Sequence, residues 1–213
     1  MLFSSYSFIF AFLPLSLLIY HGLRCIGYQR SSTFALTLLS LFFYGWWNPI
    51  YLLLLIPLTL INFAFAKLII SNSRSNPRVT KFIFILGLIG NLAVLGYFKY
   101  ANFFVDNINQ LFGLDLFLAQ IILPLGISFF TFQKIAFLVD AYRGKLEHLN
   151  LLDFSLFVSF FPQLIAGPIV HHSEVLPQFR HKGSIPSQYI SMGITIFIIG
   201  LAKKVLFADT IAL

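Results

Sequence analysis

The chain has 213 residues, 59% of them hydrophobic and only 10% charged, with a mean hydropathy of +0.89. A water-soluble domain carries nearer one-quarter charged residues and could not bury 27 phenylalanines without leaving large adhesive patches, so a soluble monomer is excluded. Fourteen Lys and Arg against seven Asp and Glu give a net charge of +7. The basic residues lie in short polar breaks between apolar runs rather than on one face, which argues for a polytopic membrane protein and against nucleic-acid binding.

A membrane helix needs roughly 20 mostly apolar residues to cross about 30 Å of hydrocarbon. No charged side chain occurs from Leu2 to Leu23, and the run Phe8–Tyr20 predicts a first span. A cleaved signal peptide is the weaker reading, because no Lys or Arg precedes the run and no small-x-small site follows it. Ser31–Ala66 is uncharged over 36 residues, about 54 Å as a single helix, so it must fold back on itself. The break falls at FYGWWNP, Phe43–Pro49, where Asn48-Pro49 disfavours helix and the two Trp rings suit a headgroup boundary.

Phe82–Phe98, Leu116–Gln133, Phe154–Ser173 and Gly183–Ala202 supply further apolar runs, and Asn102–Asp115 is expected to lie along the interface as a short amphipathic helix. With the N-terminus outside, the breaks holding Arg24/Arg30, Arg74/Arg78/Lys81 and Arg143/Lys145 all fall on the cytoplasmic side. Arg180 and Lys182 fit that bias only if Phe154–Ser173 re-enters instead of crossing, and Pro162, Gly167 and Pro168 are residue types expected where a helix breaks. Crossing and re-entry both stay open. The fold class is therefore an all-α polytopic transmembrane bundle of about six to seven membrane helices.

Lys134 and Asp140 close the Leu116–Val139 region and are read as helix-end groups that snorkel, with Asp140 pairing to Arg143 three residues on. Lys203, Lys204 and Asp209 close the last run in the same way. Cys25 is the single cysteine, so no intrachain disulfide can form. The histidines are His21, His148, His171, His172 and His181. His171 and His172 diverge by about 100° on a regular helix, and no carboxylate or Cys cluster completes a metal site. Gly-rich phosphate loops and hydrolase motifs are missing too. What stands out is a series of polar and helix-breaking residues inside apolar runs: LPLGISFFTFQ at Leu123–Gln133 and FFPQLIAGPI at Phe160–Ile169. Such residues suit close helix packing, or a polar passage through a bundle.

These strings, with FSSYSFIFAFLP at Phe3–Pro14, FYGWWNP, NLAVLGYFKYANFF at Asn91–Phe104, DAYRG at Asp140–Gly144 and SFFPQLIAGPIVHHSEVLPQF at Ser159–Phe179, resemble the membrane-bound O-acyltransferase family, in particular its bacterial alginate O-acetylation branch. The resemblance runs in order along nearly the whole chain. It implies a multi-helix funnel through which an acyl group on one side of the membrane reaches a hydroxyl acceptor on the other. By motif position, Gln133, Gln163, Pro168 and His171 are expected to line it.

The resemblance also implies an acyl donor used as substrate, an acetyl thioester or acyl carrier, with no bound cofactor or metal. It implies an exported polysaccharide or cell-envelope glycan such as alginate as acceptor, and other acetylation-machinery proteins as partners in a bacterial cytoplasmic membrane. The family's catalytic His belongs to a later helical stretch, so no catalytic residue is assigned to this chain. Residues 1–213 are read as the N-terminal part of one transmembrane domain, inactive without its C-terminal half. The alternative is a non-enzymatic membrane subunit or transporter-like scaffold.

Overall fold

The structure is a computed structural model that describes residues 3–146, 149–164, 167, 172–180 and 187–211. It is all-helical, and among the described residues there is no strand. A π-helical turn at Phe8–Phe12 leads into α1, Leu13–Cys25, and α2 follows at Gln29–Trp47. α3 spans Leu52–Asn72 and α4 Pro77–Phe112; α5 covers Ile127–Tyr142 and α6 Leu151–Ser159. The shorter α7, Phe161–Leu164, and α8, His172–Arg180, precede α9 at Ser187–Ala202. A second π-helical turn, Lys203–Ala208, runs into α10 at Asp209–Ile211.

Among the described residues four segments are long and apolar enough to cross a membrane: Phe8–Cys25, Pro49–Asn72, Pro77–Phe112 and Ser187–Ile211. α2 is 19 residues long but more polar, and most of its hydroxyls face inward. Ser32, Thr33, Thr37 and Ser40 are all buried, and each hydroxyl donates to a carbonyl of the preceding turn, as Thr37 does to Thr33 at 2.9 Å. Hydrocarbon offers these groups no water, so the helix's own carbonyls take the role.

α5 is the centre of the main core, packed against α3, α4 and α6, while α2 packs on α1, α6 and α7. Phe130, Phe137, Leu138, Phe154, Phe157 and Val158 are all at most 3% exposed there. A second core joins the π-helical turn before α1 to α2 and α7 through rings: Phe12 meets Phe161 edge-on at 5.2 Å, and Phe43 lies 5.5 Å from Phe161. α9 has no buried residue, although Phe197 packs against this second core.

Several predicted elements stand as read. Asn48 adopts extended backbone (φ −157°, ψ 113°) and its side chain accepts from Ile50 N at 3.0 Å, turning α2 into α3 at the expected place. Others need correction. α4 does not stop near Phe98 before a separate interfacial helix; it continues unbroken for 36 residues to a left-handed Gly113 (φ 63°). Lys99 and Asp106 end the apolar run, but they are ordinary helix residues once the helix has left the hydrocarbon. Residues 116–133 are not one span either. The chain is non-helical from Leu114 to Leu123, and α5 begins only after Pro124 and a left-handed Gly126 (φ 71°). Hydropathy alone does not register those breakers.

The non-helical segment returns along the end of α4, held by two asparagines. Asn109 donates to Leu116 O at 2.9 Å and accepts from Leu116 N at 3.0 Å; Asn102 accepts from Ile121 N at 3.1 Å and donates to Ala119 O at 3.4 Å. Tyr44 of α2 then fixes Leu125 by donating to its carbonyl at 3.0 Å.

The run Phe154–Ser173 does not form a single helix. α6 ends at Ser159 and the backbone swings away at Phe160 (φ −51°, ψ 109°). A helix continuing through this point would drive the ring of Pro162 into the carbonyl four residues back and lose a hydrogen bond. Ser40 Oγ meets the break, accepting from Phe161 N at 3.3 Å. Neither α6, with nine residues, nor α7, with four, can cross the hydrocarbon alone.

α3 and α4 are joined by a reciprocal amide pair. Asn91 donates to Asn62 Oδ1 at 2.6 Å and Asn62 to Asn91 Oδ1 at 3.2 Å, and each amide also donates to the carbonyl four residues back. Replacing either residue by Leu strands the other amide, so each single variant is expected to lose about 1 kcal/mol of stability in detergent unfolding. The double variant should lose less than the sum of the two singles. Strictly additive losses would show that the pair does not couple the helices.

Candidate functional site

The buried polar groups divide sharply once their partners are traced. On α2, α3 and α4 the buried hydroxyls and amides described above are bonded within the chain. On α5 they are not. Gln133 is 1% exposed and Lys134 fully buried, yet among the described residues neither Gln133 amide atom nor Lys134 Nζ has a hydrogen-bond partner. The ammonium of Lys134 instead lies 4.4 Å from the Phe130 ring centroid, a cation–π contact.

The expectation that Lys134 snorkels from a helix end is therefore overturned. Because α5 starts at Ile127 and not at Leu116, Lys134 stands in the body of the helix, at its inward face. An ionisable group in that position is costly, and within a membrane bundle such groups mark function more often than packing.

Asp140 sits six residues further along α5, near its C-terminal end. It is only 6% exposed, and its Oδ2 lies 3.2 Å from Nδ1 of His172 at the start of α8. Arg143, expected beside it, is exposed at the position that ends α5. The His172 ring is held edge-on by Phe137 of α5 and Phe157 of α6. A carboxylate against Nδ1 fixes the orientation of an imidazole and the tautomer it adopts. Neither half of the contact is visible from spacing: 32 residues separate them, and only the adjacency of α5, α6 and α8 brings them together.

Of the four residues expected along a funnel, Gln133 and Gln163 are both buried, at 1% and 7%. They lie on α5 and α7, and α6 is the element that both helices contact. Pro168 and His171 lie outside the described residues. Around Gln163 the chain is tight. Gly167 N donates to Gln163 O at 3.0 Å, and a Cβ at Gly167 would come within 2.7 Å of Gln163 Cα, so only glycine fits.

Among the described residues a cleft of about 490 Å³ lies between α2, α3 and the start of α6, lined mainly by carbon from Phe34, Leu38, Leu41, Leu55 and Ile56. Thr37 and Thr59 also line it, and both hydroxyls are already bonded to their own helices. It suits hydrocarbon and carries no acid–base chemistry. Among the described residues no group of three His, Cys, Asp or Glu is placed to hold a metal ion.

Residues 86–212 match the model of the membrane-bound O-acyltransferase family. The chain belongs to that family. Aligned over its whole length, it is 42% identical to the peptidoglycan O-acetyltransferase of Helicobacter pylori and 41% identical to the probable alginate O-acetylase AlgI of Pseudomonas aeruginosa. It is 40% identical to the AlgI of Pseudomonas putida. It spans 45%, 41% and 44% of those proteins, less than half of each. No solved structure matches it.

The family match covers α5 to α9, so Gln133, Lys134, Asp140, Gln163 and His172 all fall inside the segment that carries the membrane-bound O-acyltransferase signature. Lys134→Met keeps the length of the side chain and removes a buried amine that has no hydrogen-bond partner among the described residues. It is expected to raise stability by about 1–3 kcal/mol in detergent unfolding, whereas an ordinary core substitution lowers it. A Lys134→Met protein less stable than the parent would mean that the ammonium holds the bundle together.

Proposed function

We propose that this chain forms the N-terminal part of a membrane O-acetyltransferase that moves an acetyl group onto hydroxyls of an exported polysaccharide or cell-envelope glycan, in a bacterial cytoplasmic membrane. One observation carries the reading. Along its entire length the chain aligns with proteins named for two different acceptors, peptidoglycan and alginate, and O-acetyl transfer to a glycan is what those names share. The acceptor of this chain is a hydroxylated glycan of one of these kinds.

The chemistry required is attack of a glycan hydroxyl on an activated acetyl carbonyl, with a base to take the hydroxyl proton and donors to hold the developing oxyanion. The acetyl donor is a thioester or an acyl carrier. The base is expected on helices beyond this segment, and this segment forms the wall: α5, α6 and α7 with Gln133 and Gln163 facing inward. Without those further helices it is inactive. Other proteins of the acetylation machinery supply the donor and take up the product.

The test is complementation. The chain is coexpressed with the C-terminal portion of the Helicobacter relative in a host lacking its own envelope O-acetyltransferase, and base-labile acetate is measured on isolated peptidoglycan and exopolysaccharide. Acetate is expected to rise above the level of either half alone, and the polymer that carries it identifies the acceptor. A well-expressed, membrane-inserted pair that leaves both polymers unacetylated would overturn the enzyme reading in favour of a non-enzymatic scaffold.

A further inference from the structure

We infer that the cleft between α2, α3 and α6 holds one hydrocarbon chain of an anionic membrane phospholipid, with the headgroup at the end nearer Arg30 and Lys67. The cleft has a volume of about 490 Å³, and Phe34, Leu38 and Leu60 stand about half exposed at its rim, so it opens on the outside of the bundle. The polar atoms of its wall make no demand on a ligand. Thr37, Thr59 and Ser159 each donate to a carbonyl of their own helix, and the Asn150 side chain accepts from Leu152 N. A sugar, a nucleotide or a peptide backbone would find no partners over this length, whereas a hydrocarbon chain needs none. A helix with its side chains is about 10–12 Å wide and would need roughly 800 Å³ over the roughly 10 Å between Phe34 and Leu41. The cleft is too small for that and takes a single slim chain.

Charge sets the direction of the chain. On α2 the lining positions occupy an arc of about 100°, and Arg30, one turn before Phe34, falls inside it. On α3, Lys67 lies two turns beyond Leu60 and within the arc of the lining residues there. The two helices meet at the turn that Asn48 begins. By helix rise Arg30 is about 27 Å from that turn and Lys67 about 23 Å, past Phe34 at about 21 Å and Leu60 at about 12 Å. Both cations thus stand beyond the same end of the cleft, one on each wall. They are exposed, and neither enters a hydrogen bond or ion pair among the described residues. Asn150 marks the same end, because α6 closes beside Ser40 and its start reaches back toward Phe34. Asp153, the carboxylate in the first turn of α6, is on the helix face away from the cleft. A tail leaving the bilayer for the cleft sheds no water, so the headgroup must supply the preference. A cation near the membrane surface is worth about fivefold toward an anionic one. The site is independent of the acetyl-transfer reading.

The test places the full chain in phosphatidylcholine nanodiscs doped with phosphatidylglycerol whose tail carries a diazirine, and maps the photo-crosslinks by mass spectrometry. Crosslinks are expected on residues 34–41 and 55–60, saturating at about one lipid per chain. Unlabelled phosphatidylglycerol should compete about fivefold or more better than phosphatidylcholine. Leu38→Trp, which fills the cleft from its rim, should lose the saturable crosslinks. Arg30→Gln combined with Lys67→Gln should keep them and lose the preference for the anionic headgroup. Circular dichroism confirms that each variant keeps its helix content. Crosslinks that never saturate, that persist unchanged in Leu38→Trp, or that show no headgroup preference in the parent overturn the proposal. The labelling is repeated with the C-terminal portion of the Helicobacter relative coexpressed. Protection of these residues there overturns the lipid in favour of a further helix, and a dimer of the chain that Leu38→Trp dissociates overturns it in favour of a second copy.

Discussion

In hydrocarbon no solvent stands ready to take a hydrogen bond, and the architecture of this chain follows from that single deprivation. Helices are obligatory because they satisfy their own backbones. At several places where the backbone leaves the helix a side chain steps in: Asn48 at the turn between α2 and α3, Ser40 at the break before α7, Asn102 and Asn109 along the segment after α4. Polar side chains within the helices follow the same rule by turning back onto the previous turn, as Ser16 does to Phe12 O at 2.7 Å. The bundle can thus carry many hydroxyls and amides at its interior at little cost, because nearly all of them are already partnered.

Against that background α5 is different in kind. Gln133 and Lys134 break the rule in the middle of the core, while Asp140 and His172 obey it through a contact between elements far apart in sequence. Natural bundles retain unsatisfied buried groups where something other than stability selects them, and the membrane-bound O-acyltransferase match places both pairs in the part of the chain characteristic of that family. The structure separates two kinds of polar interior residue that composition treats alike: those bonded within or between helices, and those with no hydrogen-bond partner among the described residues.

Much of this was legible in the sequence, and the errors have identifiable causes. The first span, the turn at Asn48-Pro49 and the break near Pro162 are written in residues that act locally, through a missing N–H or a fixed φ. α5 was misplaced because 116–133 is apolar throughout, and hydropathy weighs Pro124 and Gly126 no differently from their neighbours. That error carried Lys134 to a helix end, where a lysine is unremarkable, when the true start at Ile127 sets it in the core. α4 was cut short for the converse reason: Lys99 and Asp106 mark where the hydrocarbon ends, and a helix need not end there. The contact of Asp140 with His172 depends on how α5, α6 and α8 stack, which no local signal records.

The asparagine pair that closes α4 carries a consequence for how such a chain can vary. Asn102 and Asn109 are seven residues apart, two turns of helix, and therefore project from one face toward the same returning stretch of backbone. Inserting or deleting one residue between them would rotate one amide about 100° away from its mate, so the stretch could no longer be gripped at both points. Substitutions among the intervening residues leave that phase intact. The tip of this helix tolerates a changed alphabet far more readily than a changed count.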